Sequence, residues 1–200
     1  MAPPPAVATP TIRMAKLDDH DVDAFVRFLA EHFAESGRGG APHFALSRTI
    51  VHDETRAAVM SRWAKRLDEP FWGRCWLLVV EPPPRSIFAP PAPSKTRIVG
   101  HLELQGGRIP AEMHRATLGM GMLRAFTGRG HGRRLMDVAI TWARDEAKLA
   151  WLDLGVFAGN EPARRLYRKV GFVERGERED AFRVEPGVAV DDIHMSLALR

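Results

Sequence analysis

Three glycines, Gly128, Gly130 and Gly132, alternate at the end of LGMGMLRAFTGRGHG, residues 118–132. Without side chains, this turn can aim several backbone N–H groups at one anion. The helical pattern that follows from about Arg133 brings the positive end of a helix dipole to the same place, so the chemistry implied is phosphate binding. A second constellation follows a strand-like run: Asn160-Glu-Pro-Ala163-Arg-Arg-Leu166-Tyr167-Arg-Lys-Val-Gly171-Phe172. Asn160 can cap a helix, bind a ligand, or do both. Tyr167, the chain's single tyrosine, lies two helical turns on and shares its face, with the small Ala163 between them. A phenol placed there can donate a proton to a leaving group; its other reading is packing on an amphipathic helix.

Other chemistries find no pattern. There is no CxxC pair and no HExxH, so no metal site is expected. No Ser–His or Cys–His arrangement suggests a covalent nucleophile. The one cysteine, Cys75, lies in CWLLVV and reads as a buried strand thiol. The net charge is +4, but lysines and arginines are interspersed with acids. The densest basic groups, Arg129–Arg133–Arg134 and Arg164–Arg165–Arg168, flank the two motifs, which suits a charged small ligand better than nucleic acid. No apolar run approaches the roughly 20 residues needed to span a membrane. MAPPPAVATP lacks the basic and apolar regions of a secretory signal. These features predict a cytoplasmic protein with a disordered lead over residues 1–10 and one domain over 11–200.

The elements that must position the motifs are legible in outline. TIRMA, from Thr11, is a short strand. Asp18 or Asp19 caps a helix whose face is Val22, Phe25, Val26, Leu29 and Phe33. The acids Asp18, Asp19, Asp21 and Asp23 suit its N-terminal dipole. A second helix after Asp53 presents Met60, Trp63, Ala64 and Leu67. Strands are predicted over 74–81, 97–105, 115–123 and 151–157. The six prolines of residues 82–94 form an exposed excursion between two strands. A helix runs from Arg133 to about Leu149, and Trp142 and Trp151 read as core. Asn160 starts a short helix that Gly171 ends. Residues 174–190 read as turn-rich, and Asp192–Leu199 as a final strand whose edge suits a homodimer. The order implies an α/β or α+β domain with a mixed sheet.

The glycine turn together with N-x-x-A-x-x-L-Y-x-x-x-G-F resembles the GNAT superfamily of N-acetyltransferases, specifically from about Arg115 to Val173. The resemblance implies a mixed, mostly antiparallel central sheet flanked by helices, with splayed central strands, here Leu118–Leu123 and Trp151–Phe157. It implies acetyl-CoA as cosubstrate. The pyrophosphate would rest on Thr127, Gly128, Arg129, Gly130, His131, Gly132 and Arg133, with His131 tolerated in the cradle rather than catalytic. Met122 and Leu123 would pair with the pantetheine arm. Asn160 and Ala163 would order the cofactor, and Tyr167 would protonate the departing thiolate. One departure stands out: the family pattern has Arg or Gln where this chain has Thr127, and Arg129 or Arg124 are the candidates for the missing charge.

The general base is the least specified role. Glu103 shares a strand face with His101 in HLELQ; its other reading is an ordinary paired strand carboxylate. His114 and Asp153 are lesser candidates. The small residues Gly119, Gly121 and Gly155 would widen the thioester gap for a longer acyl group. The acceptor is expected to be a primary amine, on a small molecule or a protein. The alternative reading is a non-catalytic acyl-CoA-binding sensor or interaction module.

Overall fold

The computed structural model describes residues 9–40, 42–81 and 96–199. Most of the expected lead and the proline-rich run lie outside these residues. The elements run β1 (Thr11–Met14), α1 (Asp19–Ala34), α2 (His52–Ala64), β2 (Gly73–Val80), β3 (Arg97–Gly106), β4 (Arg115–Met122), α3 (His131–Asp145), β5 (Trp151–Phe157), α4 (Glu161–Val170), β6 (Val173–Glu185) and β7 (Val188–Ala198). One seven-stranded sheet has the order β1-β2-β3-β4-β5-β7-β6. Among the described strands, only β4 and β5 run parallel. This is the mixed, mostly antiparallel architecture expected, with helices on both faces.

Alternation along the strands sorts the two faces. One carries His101 and Glu103 of β3 and Gly119 and Gly121 of β4. It is covered by α1, through Phe25, Phe28 and His32, and by α2, through Arg62 and Trp63. The other carries Trp76, Leu102 and Met120 and packs on α3, with Trp142 edge-on to Trp76 at 5.2 Å. The core is continuous through the sheet: Leu77, Leu78, Leu102, Leu104, Leu135, Met136, Leu152, Leu154 and Met195 are fully buried. Cys75 is buried, as its apolar run requires, and burial pushes its thiol well up.

The early acids cap and clamp. Asp18 accepts from the Asp21 amide at 2.8 Å, and Asp21 takes a two-pronged bond from Arg13 at 2.5 and 2.7 Å, tying β1 to α1. Burial works to raise the Asp21 pKa, but the bonds from Arg13 and the Lys16 amide outweigh it and bring it to about 2. Asp19 and Asp23 both pair with Arg56 of α2.

Several expectations need correction. The α2 helix stops at Ala64, so Leu67 lies past its end. The α3 helix starts at His131 and ends at Asp145 rather than at Leu149. The stretch read as turn-rich is mostly strand: β6 and β7 form a long hairpin that turns at Pro186–Gly187. Its outer strand alternates among charged residues with both faces toward solvent, so no apolar period marks it. The last strand is no edge, since β7 lies between β5 and β6. The true edge there is β6, whose charges discourage strand addition. Trp151 is only half-buried, at the surface between two arginines.

Candidate active site

The parallel pairing of β4 and β5 is short. It joins Arg115 to Trp151, Ala116 to Leu152 and Thr117 to Asp153, and then stops. Beyond it β4 stays on β3 and β5 stays on β7, so Leu118–Met122 and Leu154–Phe157 part into an open wedge. These are the strands expected to splay. The Leu123 amide donates to the Val99 carbonyl at 2.9 Å, and its own carbonyl accepts from Phe126 at 2.8 Å. Bonding residues alternate along an antiparallel ladder. Gly119 and Gly121 therefore turn their backbone groups toward β3, and Leu118, Met120 and Met122 turn theirs into the wedge. Met122 offers its backbone to a ligand there; the main-chain groups of Leu123 are already taken.

The glycine turn follows at the wedge's wide end. Gly128 and Gly130 have φ of +72° and +80°, a left-handed conformation that side-chain-bearing residues rarely adopt. A methyl group at either would meet nothing within 4 Å, so the surface over the turn is open. Gly130 is the N-cap of α3 without a capping side chain, leaving the first-turn N–H groups free for an anion. Gly132 serves packing: a methyl there would lie 3.0 Å from Leu166, so its absence lets α3 approach α4.

The side chains around the turn divide. Thr127 donates its hydroxyl to the Arg124 carbonyl at 2.9 Å and closes a tight turn. Arg124 bonds the carbonyls of Glu35 and Arg38, so its charge is spent on the end of α1 rather than on the cradle. Arg129 lies over the Phe126 ring at 6.0 Å and remains beside the cradle. Arg133 pairs with Asp137 at 2.7 Å. His131 is buried; burial first, then the neighbouring Arg134 and Arg129, lower its pKa. The second basic group is largely paired internally: Arg164, Arg165 and Arg168 all pair with Glu161, and Arg164 and Arg168 also with Glu174. Their density needs no ligand to explain it.

On α4, the Asn160 side-chain oxygen accepts from the Ala163 amide at 3.4 Å, as a helix cap, and its amide nitrogen is not used in that bond. Tyr167 is buried with its ring 6.0 Å from Phe172. Burial pushes its pKa up to about 12, so the phenol is a protonated donor at neutral pH. Its hydroxyl makes no hydrogen bond to another described residue.

The three candidate bases are placed differently. Glu103 stands one strand from the wedge, opposite Gly119. Its carboxylate accepts from the Trp63 indole at 3.0 Å and from Arg62 at 3.3 Å through each oxygen. His114 precedes β4 at the closed end, away from the wedge. Asp153 is clamped by Arg115 at 2.6 and 2.8 Å and by the Ser196 hydroxyl at 2.7 Å. Burial works to raise its pKa, but those bonds outweigh it and the net shift is downward.

Two imidazoles, His32, which carries no sequence signal of its own, and His101, named only as a face-mate of Glu103, roof the wedge. His32 of α1 and His101 of β3 are buried among Phe25, Phe28 and Phe44, and the His32 ring stacks on Phe44 at 4.6 Å. Both press on Gly121, where a methyl group would lie 2.5 Å from His32 Nε2. Both Nδ1 atoms are buried without a partner among the described residues. Burial lowers the His32 pKa to about 4 and that of His101 to about 3, so both are neutral at pH 7. Their signal was Gly121 itself, a strand glycine whose missing side chain admits a ring. Gly121 therefore adds no room for an acyl chain, and Gly155 is covered by Asp192. Only Gly119 of the three faces open space.

A wedge between parallel strands, an open glycine turn at a helix start and a buried phenol on the next helix thus lie together at one end of the sheet. Residues 48–172 match the acetyltransferase (GNAT) family, and the chain belongs to it. No curated protein sequence matches the chain. Solved structures resemble it in fold. A GNAT-family acetyltransferase from Streptococcus pneumoniae is 22% identical, with a TM-score of 0.72 over 94% of this chain and 99% of that one. The protein yncA from Salmonella typhimurium, solved with its cofactor acetyl-CoA, is 16% identical, with a TM-score of 0.71 over 96% and 95%. A chimera of the spermidine N-acetyltransferase SpeG from Vibrio cholerae and hSSAT is 18% identical, with a TM-score of 0.67 over 96% and 96%.

Proposed function

We propose that this acetyltransferase moves the acetyl group of acetyl-CoA directly onto a primary amine, with Tyr167 as general acid. The observation that carries the reading is the wedge between β4 and β5, with the open cradle at its wide end. The free N–H groups of Gly128–Arg133 hold the pyrophosphate. The pantetheine arm lies along the β4 edge at Met122, and the thioester sits in the wedge. The amine attacks the thioester carbon, and backbone N–H groups of the β4 edge stabilise the oxyanion. Tyr167 gives its proton to the CoA thiolate as the C–S bond breaks. Asn160 and Ala163 line the cofactor's path at the start of α4. The attacking nitrogen loses its proton to water or to Glu103, which must give up its bonds to Arg62 and Trp63 to accept it. A metal plays no part in these steps.

Tyr167→Phe tests the reading. The expected result is a fall in kcat of about 10²–10⁴, with the acetyl-CoA Kd nearly unchanged by calorimetry. A variant that keeps full turnover removes Tyr167 from the mechanism. Failure of the wild-type protein to bind acetyl-CoA removes the reading as a whole and favours another use of the fold.

A further inference from the structure

The face of the sheet beneath α1 and α2 carries a hollow of about 440 Å³ lined by Arg115, Trp151, Arg175, His194 and Ser196. It lies on the same side as Gly119, toward the closed end of the wedge. Trp151 is held between two guanidinium groups, Arg115 at 5.9 Å and Arg175 at 5.8 Å from its ring. The two arginines differ. Arg115 is committed to Asp153 through two of its nitrogens, whereas Arg175 pairs with no carboxylate among the described residues.

Arg175 sits at a strand irregularity. In the β6–β7 ladder Glu174 pairs with Met195 and Gly176 with His194, so Arg175 is the extra residue of a β-bulge. Regular pairing would set Arg175 opposite His194, which lines the same hollow. At the bulge its guanidinium lies over Trp151 of β5, two strands away across β7.

We infer that this hollow is an acceptor subsite that binds the carboxylate of an amine substrate, with Arg175 as the recognising group. The inference rests on the acetyltransferase reading above and names the substrate class for it. Arg115 is paired with Asp153, and the Arg175 guanidinium, with no carboxylate partner among the described residues, matches a single carboxylate. A guanidinium presents paired donors to such a group, and the half-buried Trp151 ring adds apolar surface to the hollow beside it. The wedge opens level with Leu154 and Gly155, while Trp151 lies three to four residues earlier on β5. At strand rise that is roughly 10–13 Å, less the reach of the arginine side chains. The acceptor is therefore a primary amine with a carboxylate several bonds away, as in an ω-amino acid, and not an α-amino group beside its own carboxylate.

The test measures acetylation of 6-aminohexanoate and 8-aminooctanoate against the corresponding ω-amino amides, for the wild type and Arg175→Gln. The expected result is a kcat/KM at least about tenfold higher for the carboxylates. Arg175→Gln should abolish that preference by raising KM with kcat held, and Arg178→Gln on the same strand should leave it intact. Binding of the acetylated product 6-acetamidohexanoate, followed by tryptophan fluorescence, should weaken to the same extent in Arg175→Gln, a readout that needs no turnover. Equal use of acids and amides, equal binding of the product to both proteins, or a preference for ω-aminophosphonates overturns the carboxylate subsite. Acetyl-CoA titration of the same samples is the separate control: a protein that binds the cofactor but ignores the carboxylate refutes the subsite alone.

Discussion

The two ends of the β4–β5 pair are built from the same two strands and differ in nearly every physical respect. At the closed end, three residue pairs are stitched together, and the carboxylate of Asp153 is held by Arg115 and Ser196. At the open end the strands share no bonds, the side chains thin out to Gly119 and Gly121, and two neutral imidazoles roof the gap. The contrast teaches how a continuous sheet opens a gap between two of its strands. Charge-assisted bonds concentrate at one end, so the other end keeps backbone donors unspent.

The largest expected effect separates the two ends by pH. His32 and His101 have folded pKa values of about 4 and 3, below the ordinary value near 6.5. Between those limits the unfolded chain binds protons that the native state does not, so stability rises with pH and falls as acid is added. Each imidazole contributes a slope approaching about 1.4 kcal/mol per pH unit. Asp153 has the same sign in a lower window: its folded pKa is also lowered, and its contribution is lost only below the unfolded carboxylate value of about 3.9. Denaturant titrations from pH 7 to 3 should therefore show the open end failing first. His101→Phe should flatten the upper part of that curve, and an unchanged slope would break the comparison.

Asp153→Ala acts on the closed end. It leaves Arg115 and Ser196 without their partner, and a loss of about 2–4 kcal/mol is expected. Acetyl-CoA affinity, measured on the folded fraction, should change little. Gly121→Ala acts on the open end by a different route. The added methyl would press on His32 Nε2 at 2.5 Å, from which the ring must retreat. A cost of about 1–3 kcal/mol is expected by thermal or chemical denaturation, and turnover should fall as α1 shifts. The smallest effect on stability belongs to Gly130→Ala, at about 1 kcal/mol, because its φ of +80° is strained for alanine while the space around it is open. The same change should weaken acetyl-CoA binding about tenfold, because the backbone donors are re-aimed.

Much of the site was legible because its signals are local. A glycine turn between strand and helix needs only consecutive residues to be recognised, and Asn160 and Tyr167 share a helix face that spacing alone specifies. The base candidates were less legible. Glu103 lies on a readable strand, but its bonds to Arg62 and Trp63 join residues about forty positions apart. Arg124 and Arg129 looked equivalent beside Thr127 until the first proved to be tied to α1. Trp151 reads as core from its residue type, whereas in the structure it is half-buried with Arg115 and Arg175 over its ring.

The sequence by itself determined the order of most elements, the family resemblance, the glycine turn at a helix start and the helix face shared by Asn160 and Tyr167. Each of these depends on periodicity or on residues close in the chain. The tertiary structure decided where the parallel pairing stops, which carboxylates and arginines are already spent, that β7 is interior, and that His32 and His101 meet over Gly121. Those outcomes depend on which distant side chains find one another once hydrophobic burial has stacked helices on both faces of the sheet. No local pattern encodes a partner that lies tens of residues away.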